Sequence, residues 1–366
     1  MPPAGHKPGG RRLFINIHYN PDMRKIIISL VLLLAVGFIV LRFSELKYIV
    51  DTLHHSNYRF LIAAVVIEFI WLYNSATVYS GLFRLVGLKE KSLHLVLVAT
   101  AANFVNVVAP SVGIGGMAVF IDDAQRQNHS TGRVTVVGVL YILFDYIAFF
   151  CILTLGLIVL VRRNNLNAGE LTAAGILLAI AASVAFLLYL GYKSAELLGN
   201  ALARIARLIN RILNPFIHRN YLQEDRARFF ALEIAEGISM LRGKRRELLW
   251  PLLFSLNNFV LLICVLAFTF LALGTPFTLG TLVAGFAISY LFLIVSPTPS
   301  GLGVMEGVMT LVLTTLRVKL EAAALITLTY RFITFWFPLL VGAIAFRILG
   351  GKNKPLAVEN PSKSGE

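Results

Sequence analysis

Charge is what this sequence has least of. Only 14% of its 366 residues are Asp, Glu, Lys or Arg, against roughly 25% in a soluble domain. With 57% hydrophobic residues, a surface that water tolerates cannot be assembled, which excludes an ordinary soluble enzyme or carrier. Cysteine is nearly absent as well. The two present, Cys151 and Cys264, each lie inside an apolar run, which excludes a disulfide framework. No His-x-x-His, Cys-x-x-Cys or paired-carboxylate spacing occurs, so no metal and no cofactor is expected. Acidic residues are outnumbered 19 to 33 by Lys and Arg, giving a net charge of +14. The basic residues fall between apolar runs without interleaved aromatics, which argues against nucleic acid and for anionic lipid headgroups as partners.

What the chain does have is apolar runs of bilayer length, about 20 residues each. Six read as full spans: Ile26 to Leu41, Phe60 to Phe83, Val134 to Val161, Leu171 to Tyr192, Leu248 to Leu273 and Ala322 to Phe346. The first follows a polar start, residues 1–25, and has no small-residue cleavage pattern after it, so it reads as a retained span. Residues 349–366, rich in Pro, Gly, Lys and Ser, read as a disordered cytoplasmic tail. The fold class expected is an all-α polytopic membrane protein, with its membrane domain over residues 26–348.

Two further apolar stretches carry helix breakers at membrane depth. Leu93 to Ile121 is interrupted by Pro110 to Gly116, and Leu279 to Leu316 by Pro297-Thr-Pro-Ser-Gly-Leu-Gly303. The segment Lys193 to Glu247 holds eleven Lys/Arg and is expected to be cytoplasmic, which by alternation places both termini inside too. The flanks of the first broken stretch then share the inner side and those of the second share the outer side. Each stretch is therefore predicted to dip in and return as a re-entrant hairpin, one from each face. This threading puts 25 Lys/Arg inside and 7 outside, with Arg331 within a span, in keeping with the positive-inside rule. The alternative is eight ordinary spans with two proline kinks.

Span, hairpin, span then occurs twice in opposite senses, an inverted repeat of the kind that brackets a midplane site in transporters. Asp145 follows Pro110 by 35 residues and Arg331 follows Pro297 by 34; both fall roughly 18 Å into their helices. A guanidinium at that depth is costly, so Arg331 is either a phosphate or headgroup contact or half of a structural pair with Glu306 or Asp145. Matched depth predicts that Asp145 and Arg331 meet, with Glu306 completing the cluster. Glu68 and the Asn257-Asn258 pair lie at comparable depths in the first span of each half. Gly113, Gly115, Gly116, Gly301 and Gly303 have no P-loop Lys-Ser/Thr after them, so nucleotide is not expected. The helix starts behind them suit a lipid phosphate; the alternative is that glycine serves the turn alone. Residues 194–248 contain a basic amphipathic helix, with Leu198, Leu202, Ile205 and Ile209 on one face and Arg204, Arg207 and Arg211 on another.

The stretch from Ser296 to Glu306, then Ala322 to Tyr330-Arg331, Trp336-Phe-Pro338 and Gly342, resembles the lysylphosphatidylglycerol synthase transmembrane-domain family. Asn103, the Pro110 to Gly116 stretch and Asp145 resemble its first half. Many members carry Glu and Arg shortly after the first glycines, where this chain has Met117 and Ile121. The resemblance implies a flippase-like fold that moves a phospholipid or polyprenol-phosphate-linked substrate. The candidate substrate-binding residues are Arg331, Glu306, Asp145, Asn103, Pro297, Gly301, Gly303, Gly115, Gly116 and Tyr330. No aminoacyl-transfer domain is read here, so lysyl-lipid synthesis is not expected. A membrane glycosyltransferase with a polyprenol-phosphate donor, using Asp122-Asp123, and a non-transporting subunit are the rival readings.

Overall fold

The computed structural model describes residues 57–351 apart from 89, 109–113, 128, 164–167, 218–223, 242, 245 and 297. The expected first span, the polar start, the tail beyond residue 351, Pro110, Gly113 and Pro297 lie outside the described residues. Those described fall within one compact unit, Leu53–Glu366, and among them every regular element is helical.

In chain order the helices are α1 (Tyr58–Leu85), α2 (Ser92–Val108), α3 (Ile114–Arg126), α4 (Thr131–Arg162), α5 (Ala168–Lys193), α6 (Ala195–Ile217), α7 (Glu224–Ser239), α8 (Leu249–Ala272), α9 (Leu279–Val295), α10 (Val304–Thr315), α11 (Leu320–Arg331) and α12 (Phe337–Gly351). A π-helical turn, Phe332–Trp336, joins α11 to α12. Five segments are long and apolar enough to cross a bilayer: α1, α4, α5, α8 and the continuous run Leu320–Leu349. They coincide with five of the six expected spans. Their outward faces carry large apolar side chains, among them Ile62, Phe69, Leu155, Leu178 and Ile344, which suits lipid as the surrounding solvent.

The central pair is α1 and α8, whose packing is the most extensive between any two helices. They run antiparallel. The Asn57 N–H donates to the Ala272 carbonyl at one end (2.9 Å), and the Lys244 ammonium donates to the Leu85 carbonyl at the other (2.9 Å). That second end is the basic one, where Arg133 meets Glu236 at 2.6 Å and Arg126 reaches the Leu349 carbonyl. α4 packs on α9, and α12 on α2. Both contacts need a missing side chain: a Cβ on Gly156 would lie 2.6 Å from the Ala287 methyl, and one on Gly342 would lie 2.8 Å from the Thr100 carbonyl. Small residues that let backbones approach are what holds helices together where lipid removes the hydrophobic drive.

Each broken stretch is two short helices packed on each other, α2 with α3 and α9 with α10. The first pair folds back on itself: near its open end His94 of α2 meets Asp123 of α3, and at its tip Asn106 meets Gly116. In the second pair Gly285, early in α9, faces Leu313, late in α10, while Gly301 at the tip abuts Leu293. The expected amphipathic helix is α6, which packs chiefly on α7 and α5. Leu198 is buried there, whereas Leu197, Ile205, Arg204 and Arg207 are exposed.

Candidate functional site

The tip of the second folded-back pair is the best-defined polar site. Ser300, Gly301 and Gly303 have φ of 51°, 65° and 82°, so the chain turns in the left-handed region that glycine adopts freely and serine only at a cost. This coil lets the Gly303 N–H donate to Glu306 Oε2 (2.7 Å) as α10 begins. The other oxygen, Oε1, accepts from Arg331 Nε at 2.6 Å. Arg331 also donates from Nη2 to the Ser300 carbonyl at 3.1 Å, and its guanidinium lies 4.6 Å from the centre of the Phe335 ring. Arg331 ends α11 just before the π turn that carries Phe335; π turns are frequent at functional sites. The Arg331 side chain is 6% exposed and that of Glu306 20%, so the carboxylate is the member of the pair nearer the surface. Tyr330 is buried beside it.

The first tip is simpler. The Gly116 N–H donates to Asn106 Oδ1 at 2.6 Å, and the Asn106 amide sits where a Gly116 side chain would stand. Gly115 is itself engaged in an interaction. Asn103, one turn before Asn106, is half-buried and makes no part of that contact. The sequence reading chose Asn103 and passed over Asn106, a second polar residue in the same apolar run at hydrogen-bond reach of the glycines.

Asp145 does not join Arg331, contrary to the expectation from matched depth. The hydrogen bonds of Arg331 run instead to Glu306 and to the Ser300 carbonyl. Asp145 stands instead within electrostatic reach of Tyr79, Tyr141, Tyr146 and Tyr290, and keeps a partly exposed surface. Tyr79 and Tyr141 stack 4.1 Å apart, and the Tyr141 hydroxyl lies 3.2 Å from Ser75 Oγ. From there a ladder crosses the α1/α8 seam. Asn258 Nδ2 donates to Ser75 Oγ (3.3 Å), Asn74 Nδ2 to Asn258 Oδ1 (2.7 Å) and Asn257 Nδ2 to Asn74 Oδ1 (3.0 Å). The Asn257-Asn258 pair noted at this depth is thus satisfied by Asn74 and Ser75. Tyr290 lies within reach of both Asp145 and Tyr330 and so connects the two clusters. Glu68, on α1, lies within electrostatic reach of Tyr330.

At the open end of the first pair His94 Nε2 lies 3.0 Å from both oxygens of Asp123, and Gln127 Nε2 donates to the same carboxylate at 3.0 Å. His129 Nδ1 lies 3.3 Å from Glu90. The neighbouring Asp122 is paired with Arg126. Asp122-Asp123, the only acidic pair weighed as catalytic, is therefore committed to internal contacts.

Helical segments of bilayer length, apolar outward faces and buried ionic and amide contacts between them define a multi-pass membrane protein. The chain matches the family described as "Lysylphosphatidylglycerol synthase TM region" over residues 26–342, and it belongs to that family. It is also similar to a protein called "UPF0104 membrane protein" from Methanothermobacter thermautotrophicus, 22% identical over 305 residues that cover 82% of this chain and 88% of the relative.

Proposed function

We propose that this protein moves a lipid or lipid-linked anionic substrate between the leaflets of the cell membrane, with both termini cytoplasmic. In this reading the two folded-back pairs are re-entrant hairpins entering from opposite faces, related as an inverted repeat. Recurrent packing supports that relation, since α2 on α12 in the first half corresponds to α9 on α4 in the second. Histidine, acidic and basic groups gathered where α2 opens and α3 closes support a shared face for the flanks of the first hairpin.

The observation that carries the reading is the buried Arg331 held at a hairpin tip by a more exposed carboxylate. Glu306 occupies the two donors an incoming phosphate would need, Arg331 Nε and the Gly303 N–H. A phosphate oxyanion matches that pair of donors, one guanidinium and one helix N-terminus. Binding is then an exchange of one anion for another: Glu306 swings out and the phosphate takes its place, so the buried cation keeps an anion beside it while the substrate is bound. Gly301 and Gly303 shape the turn, Tyr330 lies beside Arg331 at the end of α11, and Pro297 joins the candidate contacts by its sequence position alone. Asp145 with its tyrosines, Asn103, Gly115 and Gly116 form the corresponding wall from the first half.

The test is reconstitution of the purified protein in liposomes, with leaflet exchange measured for labelled phospholipids and polyprenol phosphates. Exchange of at least one anionic lipid, abolished in a folded R331Q variant and not restored by R331K, is the expected result. Sugar transfer without lipid exchange would establish the glycosyltransferase reading instead. The engagement of Asp122 and Asp123 by Arg126 and His94 disfavours that reading.

A further inference from the structure

Glu68 has no role in the exchange just described, and its surroundings are unusual. It is 0% exposed, in the middle of a helix long enough to cross the membrane, and neither carboxyl oxygen has a hydrogen-bond partner among the described residues. One turn along the same face, the indole Nε1 of Trp71 is likewise buried without a partner. A donor and an acceptor on one helix face, both unsatisfied, are costly features that a purely structural seam would lose.

Among the described residues, the helices packed on α1 offer Glu68 no cation. α8 has no charged residue between Leu249 and Ala272, and the only titratable side chain of α2 is His94, held at the basic end by Asp123. α4 contributes Asp145, of the same sign, among its tyrosines, with Arg133 and Arg162 at its two ends. The Tyr330 phenol of α11 lies within electrostatic reach of Glu68. Arg331, next in the chain, is committed to Glu306. A bare carboxylate is not tolerated in such a place, whereas a neutral acid is.

We propose that Glu68 is a proton-loading site that couples substrate movement to the transmembrane proton gradient. In the closed arrangement the carboxyl carries its proton. When Glu306 swings out and a substrate phosphate later leaves, Arg331 is short of a counter-charge until Glu306 returns, and release of the Glu68 proton to the water at one face of the membrane supplies one across the Tyr330 side of the site. A change of the Trp71 side-chain rotamer, one turn along α1, would let its unpartnered Nε1 donate to the carboxylate so formed. Reloading from the other face of the membrane restores the closed state. The π turn Phe332–Trp336, whose neighbour Phe337 packs edge-on to Phe69 at 4.9 Å, is the joint between α1 and α11 that this cycle would work.

The coupling rests on the translocation reading, whereas the proton site itself does not. Infrared difference spectroscopy of the reconstituted full-length protein, wild type minus E68Q, reads the protonated-carboxyl carbonyl band directly. The band is expected at neutral pH in the wild type and absent from the variant. In liposomes an imposed pH gradient is expected to change the wild-type exchange rate of an anionic phospholipid severalfold and to leave E68Q exchange, like that of E68L, unchanged. No band at neutral pH would overturn the proton site. A band together with the same gradient response in wild type and E68Q would overturn the coupling. A band with no lipid exchange by the wild type under any gradient would establish the site and refute translocation.

Discussion

Replacing Glu306 should damage the folded protein more than replacing Arg331, although each change breaks the same ion pair. Glu306→Gln leaves a guanidinium with only the Ser300 carbonyl and the Phe335 ring, and stranding one charge of a buried pair costs about 3–5 kcal/mol. A neutral amide oxygen can still accept from Arg331, so the lower end, about 3 kcal/mol, is expected. Arg331→Gln loses a charge-assisted bond of roughly 1.5–3 kcal/mol and a ring contact of about 0.5–1 kcal/mol. Against this it removes a cation whose insertion at the bilayer centre costs about 2.5–3.5 kcal/mol. Glu306, left behind, is one-fifth exposed and keeps its bond from Gly303. The net cost should be about 1 kcal/mol or less, and the double variant should resemble Arg331→Gln, so the coupling should equal the Glu306→Gln loss, roughly 3 kcal/mol. Denaturant titration of the four proteins in mixed micelles measures this cycle. A larger loss in Arg331→Gln than in Glu306→Gln, or simple additivity, would refute the assignment of Arg331 as the buried, dependent partner.

The tip glycines separate two causes of strain. Gly301→Ala should cost about 1–2 kcal/mol for the left-handed backbone plus about 1–3 kcal/mol of overpacking, because its Cβ would lie 3.0 Å from the Leu293 Cα. Gly303→Ala meets nothing within 4 Å and should show the backbone part alone; equal losses in thermal unfolding would contradict this. For topology, single cysteines at the exposed positions Lys91 and Gln125, in a background without Cys151 and Cys264, should react with an impermeant maleimide from one face, and those at Arg163 and Pro276 from the other. Labelling of 91 and 125 from opposite faces would remove the re-entrant reading of the first pair.

The long spans were legible because lipid imposes one requirement on every residue of a helix, so an apolar run of sufficient length announces itself without any partner. The breaks between α2 and α3 and between α9 and α10 were legible for a related reason: proline and glycine at membrane depth have few other uses. Contacts were legible only where the chemistry left few options. Glu306 was named as a partner for Arg331 because a buried guanidinium requires a carboxylate. The choice between Glu306 and Asp145 depended on the left-handed turn at Ser300–Gly303, which brings the start of α10 under the end of α11. Asn106 was invisible because an asparagine in an apolar run looks like a tolerated exception until the fold brings Gly116 within 2.6 Å of it.

The separation of Asp145 from Arg331 follows from what matched offsets mean. On the proposed inverted repeat, two residues at equal distances from their own hairpin prolines would occupy corresponding places in their own halves, and would meet only if those places lay on the line relating the halves. The polar residues that do meet are on the antiparallel seam of α1 and α8, where Asn74 and Ser75 join Asn257 and Asn258. Arg331 and Asp145 lie to either side, one answered by a carboxylate, the other by tyrosine rings and hydroxyls that place no opposite charge beside it. A cation with a movable counter-ion on one side, and an acidic, aromatic, partly open wall on the other, give the two halves different chemistry on similar frames. On the proposed reading, such a site would hold the anionic and the apolar or amine parts of one lipid headgroup at the same time.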